Sequence, residues 1–68
     1  MRKRDLIRRL LRAGFILQPG QGRGSHRVYD HPRGQTVTIP GHDNDNALPY
    51  LIGEVRDAIE ASGGVWED

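Results

Sequence analysis

Apolar residues recur with a helical period at both ends of this chain and with a strand period between them, and a turn rich in glycine, proline or polar residues closes each segment. Near the C-terminus Leu48, Leu51, Ile52, Val55, Ala58 and Ile59 fall at i, i+3, i+4, i+7, i+10 and i+11. That spacing predicts a helix from about Leu48 to Ala61, with Pro49 suited to its first turn and Ser62-Gly63-Gly64 to its end. Near the N-terminus Leu6, Ile7, Leu10 and Leu11 form one stripe of a helix from Arg4 to Ala13. Asp5 stands where a first-turn acid belongs, Arg12 lies near the negative end, and Gly14 stops the helix. Between these helices Phe15 to Gln18, His26 to His31 and Gln35 to Pro40 read as strands. The last is the clearest, with Val37 and Ile39 on one side and Thr36 and Thr38 on the other. Pro19 to Ser25, with three glycines and no apolar side chain beyond its proline, and Pro32-Arg33-Gly34 are the connecting turns. Gly41 to Asn46 is a polar loop.

The expected architecture is therefore α+β in the order α-β-β-β-α: a three-stranded antiparallel sheet with two helices on one face. The opposite face is expected to expose Arg27, Tyr29, Thr36 and Thr38. Residues 1–64 form a single domain, and 65–68 a short acidic tail whose Trp66 either folds back or meets a partner.

Size limits what such a domain does. With 68 residues the core is small, and a deep cleft with its own lid is out of reach. The absence of cysteine removes disulfides, thiolate metal sites and thiol nucleophiles. No apolar run exceeds three residues, so no membrane span or signal-peptide core is expected, and a soluble cytoplasmic location is.

Charge is segregated along the chain. Residues 1–34 carry nine Lys/Arg against two acids, a net of +7, whereas residues 35–68 carry one arginine against seven acids, a net of −6. A basic half of this kind suits a polyanion, although ordinary solvated helix surfaces produce the same count. Arg8, Arg9 and Arg12 point away from the apolar stripe of the first helix and fit either reading.

Gly24-Ser25-His26 is the informative spot. A histidine at the mouth of a strand, directly after a glycine-rich turn, is held by the sheet and exchanges protons near neutral pH. Arg23 and Arg27 flank it, and a guanidinium grips phosphate bidentately. The plainer reading is a structural histidine at the core edge, since His26 shares strand parity with Val28. Other schemes fit less well. His26, His31 and His42 show no paired-ligand spacing with Asp43 or Asp45, so no metal site and no cofactor are expected. Ser25 lacks a strand-turn-helix elbow and an orienting acid. Gly20-x-Gly22-x-Gly24 leads into a strand, so no helix N-terminus faces an anion there.

Four stretches in register carry a family likeness. Arg4-Asp5-Leu6-Ile7…Leu10-Leu11…Ala13-Gly14-Phe15, then Gly24-Ser25-His26-Arg27-Val28-Tyr29-Asp30-His31-Pro32, then Val37-Thr38-Ile39-Pro40 and the closing Leu51-Ile52…Ile59 helix resemble the HicA toxin family to about residue 62. The resemblance implies a fold like that of double-stranded-RNA-binding domains. It implies a metal-independent endoribonuclease that cleaves mRNA, held inactive by a HicB-like antitoxin. The family's catalytic histidine falls on His26. Arg8, Arg9, Arg12, Arg23, Ser25, Arg27 and Tyr29 are the candidate RNA contacts, with Tyr29 offering a stacking face. This chain departs from many relatives in having Arg27 rather than a second histidine, a longer glycine-rich turn, and an acidic last helix and tail. Two other readings share the fold: a non-catalytic RNA-binding module, and a protein-interaction subunit without activity.

Overall fold

The computed structural model describes residues 1–19, 26–42 and 44–67, so the turn at 20–25, with Arg23 and Ser25, lies outside the described residues, as do Asp43 and Asp68. The chain runs α1 (Lys3–Arg12), β1 (Ile16–Leu17), β2 (Arg27–Asp30), β3 (Thr36–Ile39) and α2 (Pro49–Ala61). This is the α-β-β-β-α order, an α+β fold whose single sheet is antiparallel in the order β1-β2-β3.

Both helices end in the same local device. In α1 the Phe15 amide donates to Leu10 O at 3.0 Å and the Gly14 amide to Leu11 O at 3.1 Å. In α2 the Gly64 amide donates to Ile59 O at 2.9 Å and the Gly63 amide to Glu60 O at 3.1 Å. These paired bonds are Schellman caps, which need a left-handed residue after the cap position. Gly14 at φ +100° and Gly63 at φ +92° supply it without the Cβ clash that other residues suffer. Each cap turns the chain back towards the core, delivering Phe15 into it in the first case.

The start of α1 is tied down as well. Asp5 Oδ2 accepts from the Arg2 amide at 3.1 Å, satisfying a donor at the helix entry. The Lys3 amide donates to Asp45 O at 2.9 Å and the Ala47 amide to Met1 O at 2.8 Å, so the first residues strap the loop before α2.

Leu6, Leu10, Phe15, Tyr29, Val37, Ile39, Ala47, Leu51, Val55 and Ile59 form one core between the helices and one sheet face. The register corrects the expected facing of β2. Tyr29 pairs with Val37 and Arg27 with Ile39, whereas Val28 pairs with Thr38 and Asp30 with Thr36. Antiparallel partners share a face, so Tyr29 lies on the helix-covered side, 3% exposed, and not on the open face beside Thr36 and Thr38. The physical reason is area: an aromatic ring buried with Val37 and Ile39 removes more apolar surface from water than Val28 would. Two other apolar residues also leave their expected stripe, because Leu11 and Leu48 are exposed.

Candidate functional site

His26 is exposed and stands immediately before β2, where the ladder pairing Arg27 with Ile39 begins. Continuing the strand alternation one step back puts it on the open side of the sheet, with Val28 and Thr38. Gln18 joins that side from the β1 end, its amide donating to Val28 O at 2.8 Å. Arg27 is half-buried on the other side, its guanidinium 3.4 Å from the carbonyl oxygen of Gly41. The expected flanking pair is thus placed only at Arg27, as Arg23 and Ser25 fall outside the described residues.

The other two histidines have different surroundings. His31 is half-buried against Phe15, with ring centroids 4.9 Å apart. Its Nδ1 accepts from the Arg33 amide at 3.1 Å, which leaves Nε2–H to donate to Ala13 O at 3.1 Å. Every ring nitrogen of His31 is thereby engaged in holding the fold. His42 is exposed, its amide donating to Asp45 Oδ2 at 3.2 Å. Among the described residues no three His, Asp or Glu side chains converge as metal ligands, and no helix is long and apolar enough to cross a membrane.

The α1 arginines are not equivalent. Arg8 is exposed, 3.9 Å from Asp5 across one turn, an ion pair that water screens heavily. Arg12 is exposed and has no ion-pair partner among the described residues. Arg9 is half-buried and engaged: its guanidinium sits 4.3 Å from the centroid of the Trp66 ring, and its Nη1 donates to Glu67 O. Trp66 therefore folds back and packs against the core. Tyr29, in the core, offers no ring face to a base, which removes it from the candidate contacts.

Sequence reasoning missed the Arg9–Trp66 pair and the role of His31. The signal for the first was present in Gly63-Gly64, a cap that reverses the chain just before the one tryptophan. Nothing in the spacing of His31 marked it as a fastening rather than a reactive group.

Residues 4–63 match the family model described as HicA toxin of bacterial toxin–antitoxin. The chain belongs to the HicA toxin family. The HicA match spans α1 through the cap of α2 and stops short of the segment 64–67 that packs on α1. HicA proteins are toxins of toxin–antitoxin systems, a class that implies an antitoxin partner and an RNA substrate. Compared with curated proteins, the chain finds no significant match.

Proposed function

We propose that this HicA-family chain is an endoribonuclease toxin that cleaves mRNA by metal-independent acid–base chemistry at His26. The observation that supports it is the contrast among the described histidines. His31 is locked between Ala13 and Arg33, while His26 is exposed at the head of a strand in the Gly-Ser-His motif of the family.

The chemistry follows from what an imidazole does beside a ribose. The substrate's own 2′-oxygen attacks the adjacent phosphorus, forming an O2′–P bond as the P–O5′ bond breaks. The products are a 2′,3′-cyclic phosphate and a 5′-hydroxyl. His26 accepts the 2′-hydroxyl proton or donates one to the departing 5′-oxygen. One imidazole does not perform both transfers at the same moment, so a second group or water completes the pair. Arg23 is the guanidinium proposed to supply positive charge to the crowded phosphorane, since Arg27 lies on the other side of the sheet, beside the Gly41 carbonyl. General acid–base help is worth roughly 10²–10⁴-fold, a rate that suits a growth-arresting toxin, which needs few cuts.

His26 is exposed among the described residues, and control of such an activity is proposed to fall to a second chain. A HicB-like antitoxin that covers the His26 region is the expected inhibitor. The deciding experiment is induction of wild type and His26→Gln in cells, following growth and mRNA integrity together. Arrest with mRNA loss for the wild type only is expected; a His26→Gln chain as toxic as wild type at equal abundance removes His26 from the chemistry.

A further inference from the structure

The face of α1 turned towards the tail is not flat. Helix 1 and the segment 64–67 enclose an open groove of about 680 Å³, lined by Arg8, Arg9, Arg12, Met1, Val65 and Trp66 among others. Arg8 and Arg12 are one turn apart on the same helix, which places them side by side along one wall. Arg9 lies between them in sequence and stacks on Trp66, 4.3 Å from the ring centroid. The cap bonds of Gly63 and Gly64 fix where this tail begins, and Gly64 is packed so closely that an added Cβ would meet Ile59 Cγ2 at 3.0 Å and Ala13 Cβ at 3.4 Å. The groove is therefore a built feature, made by both ends of the chain.

We infer that this groove is an anchoring site for single-stranded RNA, holding one nucleotide with its base against the Arg9–Trp66 stack and its phosphates against Arg8 and Arg12. The inference rests on the ribonuclease reading above, and extends it to a second contact made by a segment beyond the family match. Charge decides the occupant. Three guanidiniums line the groove against the carboxylates of Asp5 and Glu67, and Arg8 and Arg12 keep theirs in solvent. An acidic peptide would satisfy the guanidiniums, whereas a nucleotide brings to the same spot both the phosphates that pair with them and a base that stacks on an aromatic ring or a guanidinium plane. The anchor lies on the helix-bearing side of the sheet, so it fixes the strand at a distance from His26 and leaves the cut position to the open face.

Trp66 is the one tryptophan of the chain, so its emission reports on this groove alone. The experiment uses the full chain carrying His26→Ala, which prevents turnover, and a fluorescein-labelled single-stranded RNA. Tryptophan emission excited at the red edge and RNA anisotropy are followed in the same titration. The expected result is a saturable change in Trp66 emission with the midpoint given by anisotropy. Arg8→Gln with Arg12→Gln shifts that midpoint about fivefold or more, and the milder Trp66→Phe retains most of the affinity because a ring remains. RNA that binds by anisotropy while Trp66 emission stays unchanged overturns the anchor, leaves the ribonuclease reading intact, and frees the groove for a protein. RNA that binds with the emission change, in a wild-type chain that cuts no RNA, sustains the anchor and ends the ribonuclease reading. Absence of any RNA binding overturns the anchor, and wild-type cleavage then decides the ribonuclease reading separately.

Discussion

His31 Nε2 lies 3.1 Å from the carbonyl oxygen of Ala13, fastening the turn after β2 to the C-terminal cap of α1. The bond satisfies a carbonyl that the helix end would otherwise leave open, and the ring's other nitrogen is fixed by the Arg33 amide. His31→Ala leaves that half-buried carbonyl without its donor and removes the ring from Phe15. A loss of about 1–3 kcal/mol in urea unfolding is expected. RNA cleavage per folded molecule should stay at the wild-type level, which separates this histidine from His26.

Gly14 is constrained twice. At φ +100° an L side chain is strained, and an added Cβ would stand 3.2 Å from His31 Nε2. Gly14→Ala should lower stability by about 1–2 kcal/mol from the backbone alone. Crowding of His31 adds to that. Equal unfolding midpoints for Gly14→Ala and wild type would show that the cap relaxes to a right-handed form.

On the proposed mechanism, RNA cleavage should continue in EDTA and leave 2′,3′-cyclic phosphate or 3′-phosphate ends. End-group analysis of cut RNA in chelator tests both points. Activity that vanishes in EDTA and returns with a divalent ion would assign the chemistry to a metal instead.

Charge reversal should distinguish the arginines that the structure separates. Each phosphate contact with a single strand contributes a log–log salt slope of about −0.7. Arg8→Glu with Arg12→Glu should therefore flatten the salt dependence of RNA binding by about two contacts' worth. Arg9→Glu should also loosen the tail, seen as a red-shifted Trp66 emission in the absence of RNA. Unchanged affinity in the Arg8/Arg12 pair would make the basic helix face an ordinary solvated surface.

The antitoxin should protect the start of β2. Hydrogen exchange on the free and bound chain is expected to slow at His26 to Val28 and over α1, with a partner that is acidic where it meets the basic half. Protection confined to α2 would mean that inhibition works without covering His26.

The order of elements and both helix ends were legible because local chemistry decides them: a 3.6 period, a proline at the first turn, glycines at the caps. The facing of β2 was not. His26 to Asp30 carries a polar or charged residue on either side, so the alternation was read with Tyr29 outward, and burial of its ring opposite Val37 reverses that facing. The strap from Met1 to Ala47 is invisible in sequence because it uses backbone groups only. The Gly-Ser-His motif was legible as a motif, whereas the groove was not, since Arg9 and Trp66 come from opposite ends of the chain and meet only through folding.

The pairing of β2 with β3 also bears on which insertions and deletions this fold tolerates during evolution. Loops ordinarily absorb changes in length, and the two turns flanking β2 differ sharply in that respect. The connection at 31–35 sets which residue of β2 opposes Val37. A residue gained or lost there that shifts the pairing by one would expel Tyr29 from the core and swing His26 to the helix-covered side. A change of length ahead of His26 leaves that pairing untouched. Variation in length can therefore accumulate ahead of the histidine without altering this pairing, while the connection at 31–35 is the one that descent must hold to length.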